Sequence, residues 1–321
     1  MDISESLATL LLTNRIVEVG AEPFSAKQFW LLRSAVGDVS QLVGKSADDI
    51  TNSFGVEIET ARRAEALLQA VMAFSLARVQ IEGTGIRVCS YLDEQYPQRL
   101  RTTLGDRAPI FVMMAGNDRL LEGDSRGIVG SRSVGADSIE VAEIAARRAV
   151  KRGDTVVSGL AKGIDQTAMA AALAEDVGII GIPTEGLGRV SQNPQIRALV
   201  AEGRICLINP YGPDVGFSVG TAMGRNKLIY GLAKSTLVVT SDLETGGTWA
   251  GAIEALRGEF AQVDVWLGAG QGKGNEALVA KGARPVRDVE ELWQDSATSH
   301  APRHSKAEQM QLGFEDNERS R

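Results

Sequence analysis

The chain has 321 residues, 44 % of them hydrophobic and 23 % charged, and its 34 Lys and Arg against 41 Asp and Glu give a formal net charge of −7. That composition suits a globular protein with room for one large domain or two smaller ones, each able to bury a core. It excludes a protein that coats nucleic acid through overall positive charge, yet it leaves room for a local cationic patch on an acidic body.

Residues 1–84 read as helical. Within "LVGKSADDITNSFGV" a Ser stands ready to cap a helix and Gly55 to end one. In "IETARRAEALLQAVMAFSLARV" the residues Ala61, Ala64, Leu67, Leu68, Val71 and Met72 recur at helical spacing and predict one buried face. Short helices joined by Gly-containing turns suggest a small bundle of the SAM or helix-hairpin-helix type, with packing or dimerisation as the alternative role. Residues 85–124 connect this part to the rest, and "IRVCSYL" and "APIFVMMAG" are candidate strands for the edge of the next domain.

From about 125 to 295 strands and helices alternate. "GIVGS", "TVVSG", "VGIIGI", "ICLIN", "TLVVTS" and "VDVWLG" are near-continuous apolar strands, and segments such as "SIEVAEIAARRAVKRG" and "QTAMAAALAED" are the helices between them. The pattern predicts an α/β fold whose doubly wound parallel sheet is covered on both faces. Residues 296–321 are polar and are expected to be disordered.

The chemistry-bearing loops all fall where strands end, the edge at which open α/β sheets bind ligands. After the first strand comes Gly130–Ser131–Arg132, which places a cation where a dinucleotide fingerprint needs bare glycine. "SGLAKGID" supplies Ser158, Gly159, Lys162 and Gly163, and Asp165 is expected to cap the helix that follows. "GRNK" puts Arg225, Asn226 and Lys227 at an expected helix start, where free N–H groups favour anions. Thr245, Gly246, Gly247 and Thr248 bring backbone close to a ligand ahead of another helix. Four loops on one edge, three of them basic, point to a ligand bearing phosphates. The only histidines, His300 and His304, lie in the polar C-terminal stretch, and Cys89 and Cys206 are isolated. No metal, cofactor or catalytic residue is assigned. No apolar run reaches membrane-spanning length and the first residues lack a basic leader, so a cytoplasmic location is expected.

Taken in order, "GSR", "SGLAKGID", "GRNKLIYGLAKSTLVV" and "ETGGTWAGAIEAL", preceded by "GIRVCSYLDEQYPQRL", resemble the DNA-processing protein A (DprA/Smf) family over about residues 85–285. The resemblance implies a Rossmann-like domain over 85–295, with 85–124 as its N-terminal extension. It also implies a homodimer that binds single-stranded DNA through the residues just named and loads a RecA-type recombinase. Departures exist. Ala222 stands where the family has an aromatic residue three places before its R-N-R, Met169 stands where members often have His, and no winged helix follows residue 295. "QMQLGF", Gln309 to Phe314, resembles the peptide with which bacterial proteins dock on the sliding clamp. The competing expectation is a nucleotide-binding sensor or phosphoribohydrolase of the same Rossmann-like superfamily, with Arg225 and Glu254 as its working pair.

Overall fold

The computed structural model describes residues 3–14 and 16–294. The clamp-type segment Gln309 to Phe314 therefore lies outside the described residues. Five helices precede the sheet: α1 (Glu5–Thr13), α2 (Ala26–Val36), α3 (Ala47–Phe54), α4 (Ile58–Leu68) and α5 (Val71–Glu82). Ser46 caps α3 in a reciprocal box with Asp49, and Gly55 ends it in the left-handed region at φ 66°. Ser46→Ala is expected to lower stability by about 1 kcal/mol, visible as a small fall in the denaturation midpoint.

One expectation needs correcting. The apolar stretch after residue 58 is two helices, bent by 52° between Leu68 and Val71. The bend turns Phe74 into the core at 1 % exposure and leaves Met72 outside at 72 %. A single helical period drawn through both halves therefore misplaces Met72. Among the described residues no single helix is long and apolar enough to cross a membrane.

The nine strands are β1 (Ile86–Ser90), β2 (Phe111–Gly116), β3 (Ser125–Gly130), β4 (Thr155–Ser158), β5 (Ile179–Gly181), β6 (Ile205–Asn209), β7 (Ser235–Thr240), β8 (Gln262–Trp266) and β9 (Arg284–Val286). They form one sheet in the order β1-β2-β6-β5-β4-β3-β7-β8-β9. The stretch from β6 to β9 is parallel throughout, and β1 and β2 are added antiparallel on the β6 edge. α6 (Gln98–Leu104) lies between the two antiparallel strands. α7 (Ala136–Lys151), α8 (Ile164–Ala174), α9 (Leu187–Val190), α10 (Pro194–Ala201), α11 (Val219–Leu232), α12 (Gly246–Gly258) and α13 (Asn275–Ala280) link the rest.

Alternate residues of each strand enter different cores, as a period of two requires. Ile128, Val156 and Leu237 pack with α7, α8 and the N-terminal helices. Val129, Val157 and Val238 pack with α6, α11 and α12 on the opposite face. Both faces are covered, so the strands are apolar throughout, and the doubly wound α/β reading holds.

The order also fixes where a ligand can enter. From β3 the chain moves to β4 on one side, while β7 pairs with β3 on the other. Helices leave in opposite directions at this point and open a crevice beyond the carboxyl ends of β3 and β7.

Candidate functional site

A cleft of about 420 Å³ occupies that crevice. It is lined by Gly130, Ser131 and Arg132 after β3, Arg225 and Asn226 on α11, and Thr245, Gly246, Gly247 and Thr248 at the start of α12. Ser158, Gly159, Lys162, Gly163 and Lys227 are not among its lining residues. All four predicted loops border the cleft, but the second reaches it only through Ala161 and Asp165 and otherwise plays a supporting role.

The supporting loop shapes the floor. The Ser158 hydroxyl is buried and donates to the Ile128 carbonyl at 2.6 Å, tying β4 to β3. Gly163 has φ +82°, and a Cβ there would stand 2.4 Å from the Ser131 carbonyl oxygen. Only glycine lets this loop pass under the first one. Gly159 serves the other neighbour, since a Cβ on it would lie 1.5 Å from Nη1 of Arg225. Lys162 is exposed on the outside of the same turn.

Asp165 is not the helix cap expected of it. Gly163 occupies the cap position of α8 and Asp165 sits in the first turn, 4 % exposed. Its carboxylate accepts the Gly159 N–H at 3.1 Å and faces Arg225 at 3.9 Å. A carboxylate turned inward at the positive end of a helix gathers the N–H groups of the preceding turn and so rigidifies it. Burial pushes the Asp165 carboxyl up and the Arg225 guanidinium down, and the attraction between the two offsets part of each shift.

Arg225 is also placed differently from expectation. α11 begins at Val219, capped by Ser218 in a reciprocal box with Thr221, so Arg225 lies in mid-helix and no free helix N–H groups surround it. Gly224 lies inside the helix, where a Cβ would meet the Tyr211 hydroxyl at 2.8 Å. Asn226 donates to the Gly247 carbonyl at 2.9 Å and so locks α11 to the start of α12. Lys227 points the other way, donating to the Arg107 carbonyl at 3.1 Å, and burial lowers its pKa. The cations of the cleft are therefore Arg132 and Arg225, fewer than the sequence suggested, and Asp242 lines the same space.

Two features remain suited to anions. Arg132 is exposed, with its guanidinium 5.8 Å from the centroid of the Phe217 ring. The N-terminus of α12 has no side-chain cap, so its first N–H groups face the cleft through Gly246 and Gly247. Ser131 contributes less than expected, because its N–H is already given to the Thr240 carbonyl at 3.0 Å.

Sequence reasoning missed Phe217, Tyr230 and Asp242, all of which line the cleft. Phe217 had a readable signal, an aromatic immediately before a Ser–x–x–Thr helix cap. The Arg225–Glu254 pairing is not assembled: Glu254 is exposed on α12 outside the cleft, where its charge acts on Lys227. Among the described residues no cluster of three His, Cys, Asp or Glu has metal-binding geometry.

A family model described as DNA recombination-mediator protein A matches residues 87–297. The chain is 27 % identical to the DNA processing protein DprA of Bacillus subtilis (strain 168) over 216 residues, 66 % of this chain and 71 % of that protein. Against the protein Smf of Escherichia coli (strain K12) it is 29 % identical over 206 residues, 63 % of this chain and 54 % of that one. The X-ray structure of Streptococcus pneumoniae DprA superposes with a TM-score of 0.68 at 23 % identity, covering 90 % of this chain and 97 % of that chain. A DprA from Helicobacter pylori, whose structure concerns a unique single-stranded DNA binding mode, superposes with a TM-score of 0.53 at 20 % identity over 64 % of this chain and 92 % of its own.

Proposed function

This chain belongs to the DNA recombination-mediator protein A family, and we propose that its cleft holds the sugar–phosphate chain of single-stranded DNA. One observation carries the reading: an exposed Arg132 and the uncapped N-terminus of α12 border a single cleft at the switch point between β3 and β7. A strand offers successive phosphates, and two anion seats on one groove suit it better than a single pyrophosphate site does. The single-strand binding described for the Helicobacter pylori relative accords with it. We further propose the finer roles that the sequence resemblance implies, in which the chain works as a homodimer and hands the coated strand to a RecA-type recombinase.

Fluorescence anisotropy with a labelled oligo-dT across a salt series tests the reading. Affinity is expected to fall linearly in log–log form, with a slope of about −0.7 per phosphate neutralised. Arg132→Glu is expected to weaken binding at least about tenfold and to flatten that slope by about 0.7, the loss of one phosphate contact. Because Arg132 is exposed, its thermal midpoint is expected to stay within what ~0.5 kcal/mol of stability produces. Absence of binding at low salt, or an unchanged slope in the variant, overturns the proposal.

A further inference from the structure

We propose that Phe217 is the platform on which a base of the bound strand stacks; this rests on the single-strand reading above. The ring lines the cleft yet is 54 % exposed. Val219 and Met223, also on the cleft, are exposed at 75 % and 40 %. A group of bare apolar side chains around a cationic cleft marks a surface that meets a partner with both apolar and anionic parts. A nucleotide has both, in a flat base and a phosphate.

Local structure explains why the ring is available. Phe217 directly precedes the Ser218 cap of α11, the position from which an aromatic ordinarily packs on the fourth helical residue. That residue is Ala222, a single methyl, and it too lines the cleft. The ring is thus left without a large partner on its own helix. The guanidinium of Arg132 lies 5.8 Å from its centroid instead. Arginine over an aromatic face at an exposed site is a weak, exchangeable contact. A base can take that face while Arg132 turns to the adjoining phosphate. The stacking surface which Ala222 cannot provide is supplied five residues earlier in the chain.

The test compares oligo-dT with an abasic oligomer of the same length and charge, at one salt concentration, for the wild-type chain, Phe217→Ala and Phe217→Trp. Phe217→Ala is expected to weaken oligo-dT binding by about 5- to 150-fold, the equivalent of ~1–3 kcal/mol for one stacked base. Affinity for the abasic strand and the salt slope are expected to be unchanged. Phe217→Trp is expected to retain affinity, and its indole emission to be quenched by oligo-dT and not by the abasic strand. Equal losses on both strands overturn the proposal, since Phe217 then only shapes the cleft or positions Arg132. Unchanged oligo-dT affinity in Phe217→Ala overturns it as well. A wild-type chain that binds neither strand sinks the single-strand reading and this inference together, whereas binding of both strands with equal affinity sinks only the stacking.

Discussion

Asp154→Ala is expected to lower the free energy of unfolding by about 3–5 kcal/mol. Arg126, on the central strand β3, is 3 % exposed, and its Nε donates to the Asp154 carboxylate at 2.7 Å. Nη1 donates to the Ser235 hydroxyl at 2.9 Å, and the ring of Trp293 lies 5.4 Å away. Removing the carboxylate takes the Nε acceptor from a guanidinium that is 3 % exposed. Arg152, 3.6 Å from the same carboxylate and 42 % exposed, contributes little by comparison. A fall in the chemical denaturation midpoint without a change of slope checks the prediction. The paired replacement Arg126→Met with Asp154→Leu is expected to recover most of the loss, because apolar side chains of similar volume need no partner. The ion pair sits at the opposite end of β3 from the cleft. Oligo-dT affinity of the folded Asp154→Ala protein is therefore expected to match wild type.

Gly159→Ala is expected to act at the cleft itself. Its new methyl would lie 1.5 Å from Nη1 and 2.2 Å from Cζ of Arg225, a side chain only 6 % exposed. The guanidinium must leave, which separates it from Asp165 and withdraws a cation from the cleft. Overpacking of this kind costs about 1–3 kcal/mol, and binding of oligo-dT is expected to weaken along with stability. The double variant with Arg225→Ala isolates the cause. Once the guanidinium is gone the methyl has space, so the double variant is expected to be more stable than the two single losses summed. Additive losses in thermal denaturation would show that Gly159 is needed for its backbone alone.

Much of this architecture is legible from the chain. Six near-continuous apolar strands separated by helices determine a parallel, doubly covered sheet, because strands buried on both faces have no polar alternation to show. The rule that open parallel sheets bind ligands beyond the carboxyl ends of their strands then places the loops after β3 and β7 at a ligand edge for the common strand orders. β9 was not legible: Arg284–Val286 is three residues long and contains Pro285, which the edge position tolerates and a central strand does not.

Within the site, residue type was readable and direction was not. Arg132, Arg225 and Lys227 look alike as cations near strand or helix ends. Only packing decides that one faces solvent beside an aromatic ring, one lies buried against Gly159 and Asp165, and one reaches away to the Arg107 carbonyl. The same holds for Asp165, whose backbone position permits capping but whose inward carboxylate is set by the N–H groups of a loop folded over it. Periodicity and glycine placement report on the local path of the chain, and that is enough to specify the α/β sheet and the edge that carries the loops. Which side chains share the cleft depends on contacts between segments distant in sequence, such as Arg132 with Phe217 and Asn226 with Gly247, and those form only when the whole sheet is assembled.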